Sequence, residues 1–298
     1  MKIIFILYFF ISVIYICRRG KIKHKLTRQL TDHSTFMAFI NFPLYIFSKI
    51  KTTPFVETQS IDNLNKLKEN WKIIRQEALA LEQDGLISTS DKLDDAAFNS
   101  FFRKGWSRFY ISWYGANIPS AMIRSPQTTQ LVQSIPNIKA AMFTRLKAGS
   151  RLGLHRDPYA GSLRYHLGLI TPNNEKCYIN VDGEPYYWRD GEDVLFDETY
   201  LHEAVNGTDS DRIILLCDIE RPLKYKLVRL YNKFLSYFLL KSAAAPNEIG
   251  DKTGGINKAF KYIYQIRILG KKIQRFNKPL YYLIKYRLFL GLISLLIF

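Results

Sequence analysis

The chain has 298 residues, 47% of them hydrophobic and 23% charged, which suits one substantial folded domain with appendages or two small domains. Its formal charge of +17 is uneven: residues 18–50 carry seven Lys/Arg against one acid, residues 221–298 sixteen against two, and residues 51–220 nineteen against twenty-three. A basic excess confined to the two ends, beside apolar runs and without a nucleic-acid module, argues against nucleic acid as the partner.

The first apolar run, Ile3 to Cys17, is broken only by Ser12 and gives way at once to Arg18, Arg19, Lys21, Lys23 and Lys25. A cleaved secretory signal wants small residues at its end, whereas here Tyr15, Ile16 and Cys17 run into two arginines. The pattern predicts an uncleaved membrane anchor with a basic flank over residues 1–25, short of the usual span of about 20 apolar residues. The positive flank predicts a cytoplasmic location for the downstream chain. Residues 26–59 read as a juxtamembrane linker. At the other end, a basic region over 223–298 closes in a hydrophobic segment, Leu280 to Phe298, read as a second crossing or an interfacial helix. Anionic membrane lipids are the partners such flanks attract.

Between the ends, Leu64, Leu67, Trp71, Ile74, Ala78 and Leu81 recur at steps of three and four, which predicts an amphipathic helix over 60–84 capped by Gly85. Ser125–Pro126 predicts another helix start, with Leu131, Val132 and Ile135 on its buried side. The alternating aromatics Phe109, Tyr110, Trp113 and Tyr114 suit either packing or the wall of an acyl tunnel. From Pro136 the texture changes to short β-favouring runs: KAAMFTRL, LRYHLGLI, CYINV, PYYWR, DVLFD and RIILLCD, separated by the turn sequences KAGS, TPNN, VDGE and RDGE. These predict a mainly β fold with flanking helices, its β core over about 137–220, as an antiparallel barrel or double-sheet jelly roll of cupin-like type. Cys17, Cys177 and Cys217 lack metal-ligand spacing and fit reduced thiols.

Inside this β region stand His155 and Asp157, one residue apart, then His202, then Arg212 at the head of an apolar strand. Residues i and i+2 of a strand share a face, so His155 and Asp157 can reach one metal while Arg156 points away. Two imidazoles and a carboxylate that leave open coordination positions form the facial triad of non-haem Fe(II) oxygenases. Trp188 and Phe196 read as core. Asp197 and Glu198 read as turn residues or supports of the ligands rather than ligands themselves.

The motifs AGS before the first histidine, RYHLGL at 164–169, YWRDGEDVLFDETYLHE at 187–203 and RIILLCDIERP at 212–222 resemble the aspartyl/asparaginyl β-hydroxylase family of Fe(II)- and 2-oxoglutarate-dependent dioxygenases. Within it, the stretches RGKIKHKLTRQLTDHSTF, AFNSFF, HRDPYAGSLRYHLGL and DKTGGINKAF are similar to the bacterial branch that acts on lipid A. The resemblance implies a double-stranded β-helix catalytic domain over 60–222 that uses Fe(II), 2-oxoglutarate and O2. It implies hydroxylation at C2 of a secondary acyl chain of lipid A, with release of succinate and CO2, at the cytoplasmic side of a bacterial inner membrane. It implies that His155 and His202 bind the metal, that Arg212 and Thr144 hold the distal carboxylate of 2-oxoglutarate, and that Arg164 and His166 lie near its other carboxylate. Animal members carry glycine in place of Asp157; the carboxylate here implies a complete triad. An aspartyl or asparaginyl side chain of a protein, or a non-enzymatic lipid- or metal-binding cupin, are the competing readings.

Overall fold

In a computed structural model, residues 2–90 and 93–297 are described. Among these residues, ten strands form two antiparallel sheets. The larger contains β1 (Phe55–Val56), β8 (Asp193–Phe196), β5 (Ser162–Ile170), β10 (Arg212–Glu220), β3 (Ile138–Leu146) and β2 (Trp106–Trp113), in that order. The smaller contains β4 (Arg151–His155), β9 (His202–Asn206), β6 (Cys177–Val181) and β7 (Glu184–Tyr187). The chain passes between sheets from β3 to β4 and from β8 to β9, which makes a double-sheet jelly roll, as the strand texture predicts.

Strand parity sorts the side chains into two cores. Phe143, Tyr165, Leu167, Leu215 and Cys217 face outward and pack under the helices Trp71–Gln83 and Pro126–Gln133, against Ile74, Ala78, Leu81 and Val132. Met142, Leu146, Phe196, Ile214 and Leu216 face inward and meet Leu152, Cys177, Ile179, Val181 and Ala204 of the small sheet. Arg212, Thr144 and His166 share the inward parity, so the β alternation alone carries polar groups into the barrel. A bulge at Tyr110/Ser112 shifts β2 by one residue and turns Trp113 inward as well.

The helix predicted over 60–84 forms in two pieces, Asn65–Glu69 and Trp71–Gln83. Gly85 stops the second at φ +69°, with Leu86 N–H on Leu81 O and Gly85 N–H on Glu82 O. These paired bonds satisfy the last carbonyls in the manner a C-terminal glycine permits. Ser125 precedes the next helix as predicted, yet its side chain does not cap it. The Glu77 carboxylate does so instead, accepting from Gln127 N at 2.9 Å and Thr128 N at 2.7 Å.

The ends of the chain correct the membrane expectation. No helix among the described residues is long and apolar enough to cross a membrane. The first helix, Lys2–Arg18, has 17 residues, and it packs on the helix His33–Ile46, with Tyr8 Oη donating to Phe39 O at 2.8 Å. The last helix, Lys278–Ile297, bears Lys278, Lys285 and Arg287 in its first half, which leaves its uncharged stretch short; Phe298 lies outside the described residues. The expected anchor, the C-terminal crossing and the inner-membrane location drawn from them are therefore not sustained. Apolar runs at the termini and flanking cations gave the pattern of a span without its length.

Candidate metal centre and anion cradle

His155 ends β4 and His202 opens β9, and the two are cross-strand partners, their rings 4.3 Å apart between centroids. Asp157 lies just beyond β4 in a loop held by a hydrogen bond from its own N–H to Glu198 O at 2.9 Å. Its Oδ1 lies 3.7 Å from His155 Nε2, and one ligand atom from each of His155, Asp157 and His202 falls within 4.8 Å of the others. Each histidine directs Nδ1 at a carbonyl two residues earlier, His155 to Gly153 O at 2.7 Å and His202 to Tyr200 O at 3.0 Å. With Nδ1–H donating there, each Nε2 is left with a free lone pair, which is the tautomer a metal requires. The triad predicted from spacing therefore converges, and Arg156 between its members points the other way.

Charges tune these ligands. Burial and the neighbouring His155 push His202 down to about 3, so its imidazole is neutral at ordinary pH. Burial would raise the Asp157 carboxyl, but Arg164 and then the two histidines outweigh it and leave it at about 2. Arg164, on β5, binds Asp157 Oδ2 at 2.9 Å, pairs with the Glu198 carboxylate, and has Nε 2.9 Å from Asp218 Oδ1. Glu198 also accepts from Ser162 Oγ at 2.8 Å, and Asp218 from Tyr114 Oη at 2.9 Å. The structure thus places Arg164 behind the candidate ligand Asp157. Asp218, Glu198 and Tyr114 complete that network; Asp218 was legible as a carboxylate in an apolar run at the same parity as Arg212.

A second set of groups lies deeper. Arg212 is buried without an acid partner among the described residues, and burial pulls its guanidinium down to about 10. It stacks on the Trp188 ring, 4.3 Å from the centroid, an arrangement hidden in the reading of Trp188 as core. Thr144 faces Ile214 on one side of β10, and His166 faces Leu216 on the other. Thr144 Oγ1, His166 Nδ1 and Nε2, Arg212 Nε and Trp188 Nε1 are all buried and find no hydrogen-bond partner among the described residues. Burial and then Arg212 hold His166 well below the usual imidazole range. Buried polar atoms are normally paired. A cluster that gathers a cation, a hydroxyl and ring N–H donors around one unfilled set of bonds fits an anion such as a carboxylate.

The two sets line one small cavity of about 40 Å³, walled by Phe98, Phe101, Trp106, Leu152, Ile179 and Ile214. His155 and Asp157 are partly buried, whereas His202, Thr144, His166 and Arg212 are buried. The donor set fits iron: two nitrogens on adjoining strands and one ionised oxygen from the loop that follows the first, with a cradle suited to a carboxylate in the same cavity.

The sequence pattern of the aspartyl/asparaginyl beta-hydroxylase family matches residues 68–222, more than half of the chain. An ornithine lipid ester-linked acyl 2-hydroxylase of Rhizobium tropici is 34% identical over 181 residues, 60% of this chain and 64% of that protein. Human aspartyl/asparaginyl beta-hydroxylase is 29% identical over 189 residues, 60% of this chain and 24% of that protein. The chain therefore spans less than two thirds of either relative. A solved prolyl-4-hydroxylase of Pseudomonas putida aligns at 14% identity and TM-score 0.35, over 51% of this chain and 87% of that one. On the strength of the family pattern and these relatives, the chain belongs to the aspartyl/asparaginyl β-hydroxylase family, a family of hydroxylases.

Proposed function

We propose that the protein is an Fe(II)- and 2-oxoglutarate-dependent dioxygenase that hydroxylates C2 of a secondary acyl chain of lipid A. The carrying observation is that a three-ligand centre and an acid-free buried arginine open into one cavity. An iron centre with 2-oxoglutarate supplies dioxygen activation, in which the co-substrate becomes succinate and CO2 and an unactivated C–H bond gains one oxygen.

His155 Nε2, Asp157 and His202 Nε2 would hold the metal. Arg212 would take the distal carboxylate of 2-oxoglutarate through paired N–H donors, with Thr144 Oγ1 as a third donor. His166, neutral beside Arg212, can donate one N–H without adding a charge. Arg164 keeps Asp157 ionised and oriented. Phe98, Phe101 and Trp106 exclude water from the wall nearest the triad. Because the reaction attacks a C–H bond, it calls for no nucleophile or acid–base pair in the chain.

Acyl C2 is the position that the name of the rhizobial relative specifies. A phosphate-bearing lipid suits residues 255–297, which include nine Lys/Arg and no acid. The reading is tested by measuring 2-oxoglutarate conversion to succinate with Fe(II), with and without lipid A. Iron-dependent turnover stimulated by lipid A supports it. Metal binding without turnover under any condition would mark a non-enzymatic cupin, and stimulation only by Asp- or Asn-containing peptides would mark a protein hydroxylase.

A further inference from the structure

The span that matches the family begins at residue 68, yet a set of contacts ties residues 16–41, directly or through Asp182, to the two segments that bear the candidate metal ligands. Arg19, just past the first helix, is buried; its Nη2 lies 2.5 Å from Asp197 Oδ2 and its Nη1 donates to Thr199 Oγ1 at 2.5 Å. The same guanidinium sits over the Tyr200 ring, 3.7 Å from its centroid. Lys21 N and Ile22 N donate to the Asp182 carboxylate at 2.8 and 2.9 Å, and Asp182 N–H is bound to Leu201 O. Gly20 lies between at φ +86°, where a Cβ would stand 2.6 Å from Asp182 Oδ1. These contacts close on the stretch 197–201 that delivers His202.

The other ligand segment is gripped from the same side. Asn41, buried in the helix His33–Ile46, donates from Nδ2 to Pro158 O at 2.9 Å and accepts from Ala160 N at 3.0 Å. Arg156, between His155 and Asp157, reaches Ile16 O at 3.4 Å, one of the last carbonyls of the first helix. A cation at a helix C-terminus satisfies orphan carbonyls and the helix dipole together. Both loops then meet through Asp157 N–H on Glu198 O.

From this convergence we infer that the N-terminal helix pair is a brace for the metal centre, with Arg19 and Asn41 as positioning residues that set the separation of Asp157 and His202. The inference rests on the proposed metal site. Neither residue touches a ligand side chain, so each acts through the backbone it holds. Groups that orient metal ligands typically change affinity by about 10–100-fold when removed.

The test uses the full chain and cobalt(II), whose absorption spectrum reports ligand geometry, together with amide hydrogen exchange of the metal-free protein. Arg19→Ala and Asn41→Ala are compared with wild type; Asp197 keeps Arg221 in the first, and the second changes no charge. Expected are faster exchange at 157–160 in Asn41→Ala and at 198–202 in Arg19→Ala, cobalt affinity lower by about 10–100-fold in both, and an altered spectrum. Wild-type cobalt affinity in both variants, with exchange changes confined to residues 1–46, would overturn the brace. Failure of wild type itself to take cobalt would overturn the metal site, and the brace with it.

Discussion

Arg164 Nη2 stands 2.9 Å from Asp157 Oδ2, so a candidate metal ligand is held from behind by a buried cation. The same guanidinium pairs with Glu198 and Asp218. One positive charge thus organises three carboxylates, and only Asp157 faces the two histidines. Arg164→Gln should strand two buried acids, Glu198 and Asp218, and the partly buried Asp157. Loss of one partner of a buried ion pair costs about 3–5 kcal/mol, and a loss of that order is expected from denaturant unfolding of the metal-free protein. Stability unchanged within 1 kcal/mol, roughly the scale of a surface pair, would show that Arg164 is not the hub.

Arg212 should behave in the opposite way. It is more deeply buried and has no acid beside it among the described residues. Arg212→Leu should leave the metal-free protein at least as stable, since an uncompensated charge is removed. The same change should raise KM for 2-oxoglutarate by about 100-fold, the value of a charge-assisted hydrogen bond near 3 kcal/mol. A stable variant with unchanged KM would remove Arg212 from the co-substrate site.

The acid limb of stability should carry a His202 signature in the metal-free protein. Its folded pKa, about 3, lies below the ordinary 6.5. A depressed value means that the contribution is complete above 6.5 and is lost as the pH falls towards 3. Wild type should therefore lose stability relative to His202→Gln by about 1.4 kcal/mol per pH unit through that window. Glu198 and Asp218, both raised mainly by burial, act in the opposite direction, so the comparison is made between variants rather than on wild type alone. Parallel pH curves for the two proteins would show that His202 titrates normally.

Asp157→Ala separates a full triad from a pair of histidines. With the carboxylate as a ligand, the variant should bind Fe(II) at least 10-fold more weakly, roughly the lower end of what a supporting contact alone supplies, and should lose most 2-oxoglutarate turnover. Wild-type affinity and turnover, measured by metal titration and succinate release, would mean that the histidines suffice.

Much of this site was legible because β parity is rigid. Arg212, heading an apolar strand, needed only the alternation to be placed, whereas Asp157 lies past the end of β4 and reaches His155 through a loop pinned to Glu198 O rather than through strand parity. The strand Trp106–Trp113 was harder to see: it is buried along nearly its whole length, so it lacks polar alternation, and a bulge breaks its period. Arg19 and Asn41 carried no local signal at all, since their partners lie 178 and 117 residues away. The membrane reading failed for a related reason. Apolar composition at the two ends is plain in the sequence, whereas the packing of Lys2–Arg18 on a second helix is a tertiary fact.

The most direct measurement is a mass spectrum of lipid A from cells that make this protein, beside cells that make His202→Ala. One added oxygen on a secondary acyl chain, located at C2 by fragmentation and present only with the intact histidine, is the expected result. Identical lipid A in both, with the folded protein, iron and oxygen all present, would contradict the assignment of lipid A as substrate.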